Sequence, residues 1–216
     1  MKTLILVDIQ NDFCPGGALA VSTGNEVVPI ANQLMPKFDL VVATQDWHPA
    51  GHKSFASQNN ISVGDVFDLN GIQQIAWPDH CIQNTHGAEF VAELNTNHIT
   101  KVFPKGTDVE IDSYSGFFDN DHRNATGLGA FLKEKNGTEV FIMGLATDYC
   151  VKFTALDAIK LGFKTKLIID GCRGVELSPG DIETAITEMK NAGVEIVRSS
   201  ETVSYTHLTL PTTPYV

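Results

Sequence analysis

The sequence predicts an α/β protein: a three-layer α/β/α sandwich around a mainly parallel, six-stranded sheet. Short apolar runs rich in β-branched residues recur along the chain, and a segment with helical spacing follows most of them. Hydrophobicity within the runs is continuous, as in ILV, FIM and LII, which indicates strands covered on both faces. With 216 residues, 43% of them hydrophobic, the chain suits one domain with a sizeable core.

Six apolar runs read as the strands of this sheet. They lie at residues 3–9, 39–46, 101–105, 139–144, 164–170 and 194–200. Helical spacing predicts helices at residues 25–36, 88–95, 127–136, 150–161 and 181–192. A glycine follows each of the last three helices, as expected of a left-handed C-cap.

The segment from 47 to 87 interrupts this alternation and is too long for an ordinary connection. It is rich in His, Asn, Gly, Ser and Pro, and connections of this length are usually functional or disordered. Its apolar residues Phe67, Ile75 and Trp77 favour an ordered, functional segment.

The composition excludes several classes of protein. With 26 acidic and 15 basic residues, the net charge of −11 leaves no basic patch for nucleic acid or an anionic membrane surface. No run approaches the roughly 18 apolar residues of a membrane span. The four cysteines form no CxxC motif, and Asp8 interrupts the N-terminus before an apolar signal segment could develop. We therefore expect a reduced, cytoplasmic protein without nucleic-acid or membrane partners, and leave homo-oligomer formation open.

The last 14 residues, VSYTHLTLPTTPYV, differ from the rest of the chain. They are rich in Thr and show no structural period, and VSYTHLTLPT resembles the in-frame translation of a transposase-type sequencing adaptor. We therefore expect the domain to span residues 1–202 and residues 203–216 to be a non-native read-through tail. A genuine flexible tail is the alternative.

Reactive side chains stand at the carboxyl ends of predicted strands. Asp8 closes the first strand, Asp46 the second and Lys105 the third, and Cys150 lies just past the fourth. Ligands bind at this edge of an open parallel sheet. An acid, an ammonium and a thiol on neighbouring strand ends supply a proton carrier, a thiolate stabiliser and a nucleophile. The sequence therefore predicts nucleophilic catalysis by Cys150 with Asp8 and Lys105.

The run GLATDYCVKFTALDAI gives Cys150 a turn between strand and helix, with Thr147 or Asp148 available as helix cap. The helix N-terminus and a nearby ammonium would favour the thiolate, and free N–H groups in the turn could bind an oxyanion. Each residue alone has an ordinary alternative: a buried apolar cysteine, a capping Asp8 and a solvated Lys105.

Two motifs of the long segment, QDWHPAGH and WPDHC, concentrate side chains that bind metals: Asp46, His48, His52 and His80. Two imidazoles and a carboxylate suit zinc, manganese or iron, with water in the remaining positions. The alternative is a polar loop whose histidines bond backbone groups.

Three aromatic residues, Phe13, Trp77 and Tyr114, lie close in sequence to these groups. A flat substrate could stack among them, although each alone could equally serve packing.

From about residue 3 to 200 the chain resembles the nicotinamidases (pyrazinamidases), within the isochorismatase-like cysteine hydrolases with their Rossmann-like fold. The motifs that carry the resemblance are DIQNDFCPGGAL, TQDWHPAGHKSFAS, WPDHCIQNT, DSYSGFFDN and MGLATDYCVKFTALDA, in the family's order. Five such segments together are highly specific, unlike any one of them.

The resemblance implies roles for individual residues. The catalytic residues would be Asp8, Lys105 and Cys150. The metal ligands would be Asp46, His48 and His80. A cis peptide would join Leu145 to Ala146, with the amides of Ala146 and Cys150 forming the oxyanion hole. Phe13, Trp77 and Tyr114 would bracket the substrate ring. His52 is left open as a ligand or as a neighbour of the ligands, and Ser54 could approach the metal through water.

The implied reaction converts nicotinamide to nicotinic acid and ammonia through a thioester on Cys150, in NAD salvage, with pyrazinamide as a further substrate. The implied cofactor is one divalent metal ion: zinc, with manganese or iron as alternatives. Rival functions are hydrolysis of a ureido or carbamoyl amide or of isochorismate, and a non-catalytic metal- or ligand-binding module.

Overall fold

A parallel six-stranded sheet forms the centre of the fold in the computed structural model, which describes residues 1–202. The chain forms the strands β1 (Lys2–Val7), β2 (Leu40–Asp46), β3 (Val66–Leu69), β4 (Ile72–Ile75), β5 (Lys101–Lys105), β6 (Glu139–Leu145), β7 (Lys164–Arg173) and β8 (Glu195–Val197). The central sheet has the order β5-β2-β1-β6-β7-β8, with all neighbours parallel. All six predicted strands are therefore present, which confirms the predicted α/β fold.

The central strands are buried on both faces. In β1 the residues Leu4–Val7, and in β6 the residues Val140–Met143, are at most 1% exposed. Because successive side chains of a strand point to opposite faces, layers must cover both sides of the sheet. This explains the continuous apolar runs of the sequence.

The helices are α1 (Val27–Leu34), α2 (Ala56–Asn59), α3 (Leu128–Glu134), α4 (Lys152–Lys160) and α5 (Asp181–Asn191). Four of them lie within predicted helices. The first is shorter than predicted because 3-10 turns flank it at Gly24–Glu26 and Met35–Lys37. The helix predicted at 150–161 begins later, because a π-helical turn occupies Thr147–Val151.

The helix predicted at 88–95 is wrong. A short 3-10 turn, His86–Ala88, precedes extended and turn backbone there. The amide of Val91 donates to the carbonyl of Ile9 (3.1 Å), and the amide of Asn11 donates to the carbonyl of Glu89 (3.0 Å). The backbone groups of residues 89–91 thus bond to the segment that follows β1 and are not available for the hydrogen bonds of a helix.

The long segment 47–87 is ordered, as predicted, and contains its own elements. It carries α2 and an antiparallel hairpin formed by β3 and β4. The hairpin is a separate two-stranded sheet and does not extend the central one.

The topology fixes where a site can form. From β1 the chain proceeds outward to β2 and β5, then returns to place β6 on the other side of β1. The carboxyl ends of β1 and β6 therefore flank a switch point, where open parallel sheets bind ligands. Within residues 1–202 no helix is long and apolar enough to cross a membrane. The predicted non-native tail, 203–216, lies outside the described residues.

Candidate active site

Asp8 is the first residue beyond β1, and its side chain is completely buried. Its φ of +48° turns the chain out of the sheet, in a left-handed conformation that Asp tolerates better than most residues. The Thr44 hydroxyl donates to Asp8 Oδ1 at 2.6 Å. Burial raises the pKa of Asp8, and the nearby Asp46 carboxylate raises it further, while Lys105 and Thr44 oppose the change. A carboxyl group in this setting can accept and return a proton.

Lys105 ends β5 as a buried ammonium, so the alternative of a solvated surface charge is wrong. Its Nζ donates to Asp46 Oδ1 at 2.5 Å and to the carbonyl of Ser113 at 2.8 Å, and lies 2.9 Å from Asp8 Oδ2. Burial favours the neutral amine, but the two carboxylates outweigh it and raise the pKa of Lys105 well above its usual value. The two acids therefore favour the ammonium form of Lys105, which lies between them.

Cys150 lies in the π-helical turn that follows β6, and its thiol sulfur is 3.4 Å from Lys105 Nζ. Oxygen atoms of Asp8 and Asp46 and the Cys150 sulfur lie within 4.8 Å of one another. The structure thus brings together all three residues predicted for catalysis. The peptide between Leu145 and Ala146 is cis, as the resemblance implied.

Two expectations about the Cys150 turn are wrong. Burial raises the pKa of Cys150 well above its usual value, with Asp8 and Asp46 adding to the rise, and Lys105 only partly offsets them. This direction disfavours the thiolate that the sequence predicted. Neither Thr147 nor Asp148 caps the helix by its side chain. Asp148 instead accepts hydrogen bonds from the amides of Val175 (2.9 Å) and Glu176 (2.8 Å).

Asp46, His48 and His80 form a second, adjoining cluster. Asp46 Oδ2 lies 3.5 Å from His48 Nε2 and 3.6 Å from His80 Nε2. His48 Nδ1 contacts the carbonyl of Gly106 at 2.9 Å, and His80 Nδ1 contacts that of Pro78 at 2.7 Å. Since a carbonyl only accepts, each Nδ1 must donate its proton, so a metal ion would bind these histidines at Nε2.

This cluster has the donor set of a divalent metal site. A carboxylate and the Nε2 atoms of two imidazoles converge, and the Nδ1–H groups are held by carbonyls as in known metal sites. His48 Nε2 is buried and has no hydrogen-bond partner within residues 1–202. Gly106 makes the approach to His48 possible, because a Cβ at Gly106 would lie 2.3 Å from the imidazole ring. The cluster therefore fits a divalent ion.

His52 packs beside this cluster, and neighbouring groups contact both of its ring nitrogens. Its ring centroid is 4.4 Å from that of His48. His52 Nδ1 accepts from the Ser54 amide at 3.2 Å and contacts the Ser54 hydroxyl at 2.8 Å, while Nε2 faces the carbonyl of Ile111 at 3.3 Å. The geometry favours a supporting role for His52 and Ser54.

An aromatic cavity opens beside Cys150 and His80. All three aromatic residues predicted to hold the substrate line it, and so does Tyr149, with Leu19 and Val175 as apolar neighbours. The Trp77 indole N–H donates to the Tyr114 hydroxyl at 3.0 Å, and the rings of Trp77 and Tyr149 meet edge to face at 4.9 Å. These contacts fix the walls of a narrow slot that suits a flat ring.

A family model for the isochorismatase domain matches residues 2–201. The chain belongs to the isochorismatase family. The nicotinamidase of Escherichia coli K12 is 49% identical over 199 residues, which cover 90% of this chain and 93% of that protein. A solved nicotinamidase/pyrazinamidase structure from Acinetobacter baumannii is 44% identical with a TM-score of 0.91, covering 94% of this chain and 98% of that one. A pyrazinamidase of Pyrococcus horikoshii solved in complex with zinc is 39% identical, with a TM-score of 0.75 and coverages of 91% and 98%.

Sequence reasoning missed several residues of this isochorismatase-family site. Tyr149 directly precedes Cys150, which was a usable signal. Asp112 lines the cavity and accepts from Gln74 Nε2 at 3.0 Å, and it stands in the DSYSGFFDN motif. Gln10 bonds the backbone of Asp46 across 36 positions of the chain, and nothing in the sequence marks that contact.

Proposed function

We propose that this protein is a nicotinamidase, which hydrolyses nicotinamide to nicotinic acid and ammonia in NAD salvage and also deamidates pyrazinamide. One observation carries the proposal: the Cys150 thiol, the Asp8 carboxyl and the Lys105 ammonium meet in a buried cluster at the floor of an aromatic slot. Similar proteins named nicotinamidase support the choice of substrate.

The first half of the reaction transfers the acyl group to sulfur. Asp8 accepts the Cys150 proton while Lys105 stabilises the negative charge that develops on sulfur. Sulfur attacks the carboxamide carbon, and the backbone amides of Ala146 and Cys150 bind the oxyanion. Asp8 then gives its proton to the departing amine, so that ammonia leaves and a thioester remains.

The second half restores the enzyme. Asp8 takes a proton from a water molecule, which attacks the thioester carbon. Asp8 returns the proton to the Cys150 sulfur as the carbon–sulfur bond breaks, and nicotinic acid leaves. The raised pKa of Asp8 suits this role, because the group must take up and release a proton in each half.

Asp46, His48 and His80 would hold the metal ion, and we assign it as zinc, with manganese and iron as the alternatives for this donor set. When bound, the ion supplies a Lewis-acid site for the pyridine nitrogen of the substrate. Phe13, Trp77 and Tyr114 confine the ring so that its carboxamide faces the Cys150 sulfur.

The test is ammonia release from nicotinamide, pyrazinamide and N-carbamoyl substrates, by the parent and by Cys150→Ala. We expect nicotinamide to be the better substrate and Cys150→Ala to be inactive but folded. Preference for an N-carbamoyl substrate would favour a carbamoyl amidohydrolase. Bound metal without turnover or thiol reactivity would favour a binding module.

We further propose that residues 1–202 form the complete hydrolase domain. A chain ending at Thr202 should retain the turnover and unfolding midpoint of the full chain. Loss of activity on this truncation would mean that residues 203–216 belong to the functional protein. The cytoplasmic location stays a prediction.

A further inference from the structure

We propose that Gln10 is a positioning residue for the metal site, holding Asp46 in place by substituting for a missing strand. This inference rests on the metal site proposed above, and it concerns the side chain that fixes the backbone of one ligand.

The backbone leaves Asp46 without a neighbouring strand on one side. β1 pairs with β2 up to the partners Leu6 and Ala43, and the left-handed turn at Asp8 then takes the chain out of the sheet. β2 runs on to Asp46, whose other side pairs with Lys105 in β5. On the side of β1, the backbone N–H and C=O of Asp46 would therefore have no strand to pair with.

The primary amide of Gln10 fills this place. Its Oε1 accepts from the Asp46 amide at 2.8 Å, and its Nε2 donates to the Asp46 carbonyl at 2.8 Å. The same Nε2 donates to the carbonyl of Ala88 at 2.8 Å. Gln10 and Ala88 are fully buried, so water cannot replace these bonds. One side chain thus reproduces the donor and acceptor of a neighbouring peptide group.

This arrangement links the catalytic cluster to the neighbouring metal cluster. Gln10 lies two residues after Asp8, so the segment that carries the acid also fixes the backbone of Asp46. The Asp46 carboxylate in turn contacts Lys105 through Oδ1 and faces His48 through Oδ2. A shift of the Asp46 backbone would move its carboxylate relative to both. Groups that orient metal ligands typically change metal affinity by about 10- to 100-fold when removed.

The chain offers a matched control in Gln45. Its Nε2 also donates to the carbonyl of Ala88, at 2.9 Å, and it directly precedes Asp46 in β2. Its side chain makes no hydrogen bond to Asp46 within residues 1–202. Replacing Gln45 by Met therefore removes an amide that also bonds the Ala88 carbonyl. It leaves the two hydrogen bonds between Gln10 and Asp46 in place.

The experiment measures Co²⁺ binding to the metal-free full chain by equilibrium dialysis, together with the visible absorption spectrum of the Co²⁺ form. We expect Gln10→Met to raise the Co²⁺ dissociation constant by about 10- to 100-fold and to change the spectrum. Gln10→Asn, whose amide is one carbon shorter, should show the same changes. Gln45→Met should keep the parental dissociation constant and spectrum even if its melting temperature falls.

Other results would overturn the inference. If both Gln10 variants keep the parental Co²⁺ dissociation constant and spectrum, Gln10 serves stability alone. If neither variant folds, Gln10 is required for folding as a whole and the specific role is also wrong. Failure of the parent itself to bind Co²⁺ would instead contradict the proposed metal site.

Discussion

Replacing Thr44 by Val removes one hydroxyl from the buried site and leaves the shape of the side chain nearly unchanged. The hydroxyl donates to Asp8 Oδ1 at 2.6 Å, and both residues are fully buried. Burial raises the pKa of Asp8, and this hydrogen bond is among the contacts that oppose the rise. The variant should therefore have a still higher Asp8 pKa.

The size of the effect follows from the kind of bond. A hydrogen bond to a charged group contributes about 1.5–3 kcal/mol, and one pKa unit corresponds to about 1.4 kcal/mol, so the shift should be about one to two units upward. Asp8 must be ionised to accept the Cys150 proton. Activity therefore rises as the pH increases through the pKa of Asp8, and this rise forms the acidic limb of the pH profile. In Thr44→Val the acidic limb should move to higher pH.

The assay is the pH profile of kcat/KM for ammonia release from nicotinamide. Thr44→Ser is the matched control, because it keeps the hydroxyl and loses the methyl group that packs against Gly116. We expect its acidic limb to stay within about half a unit of the parent, given the retained hydrogen bond. An unmoved limb in Thr44→Val, or an equal shift in Thr44→Ser, would refute the assignment of Asp8 as the proton acceptor.

Three further predictions concern the cation, the glycine beside the metal site and the metal itself. Lys105→Met should abolish turnover and lower the free energy of unfolding by about 3–5 kcal/mol, because two buried carboxylates lose their cation. Urea unfolding measures this free energy, and a loss below about 1 kcal/mol would contradict the prediction. Gly106→Ala should lower bound metal, measured by elemental analysis, because its Cβ would lie 2.3 Å from the His48 ring; parental metal content would be inconsistent with the proposed ligands. Chelation should abolish nicotinamide turnover and added Zn²⁺ should restore it, whereas full activity of a verified metal-free protein would remove the ion from the mechanism.

Much of the fold was predictable because it depends on local patterns. Continuous apolar runs specify buried strands, and all six predicted strands are present in the sheet. The topology then brings Asp8, Lys105 and Cys150 together at the strand ends. This convergence needs only the parallel direction and the order of the strands, both of which the βα alternation favours.

The features that could not be predicted depend on contacts between distant segments. Residues 89–91 pair with the chain after β1, and no helical spacing reveals a competing partner. The raised pKa of Cys150 follows from burial beside two carboxylates, whose effect exceeds that of the Lys105 ammonium. The contact of Gln10 with Asp46 depends on where β1 ends relative to β2, a matter of one or two residues.

In the proposed reaction Cys150 forms an acyl intermediate with nicotinamide. The most direct test is mass spectrometry of peptides from enzyme quenched in acid during turnover. We expect a nicotinoyl group on Cys150 and none on Cys14, Cys81 or Cys172, with no adduct in Cys150→Ala. Sustained ammonia release by Cys150→Ala, or an adduct on another residue that forms and decays at the rate of turnover, would contradict it.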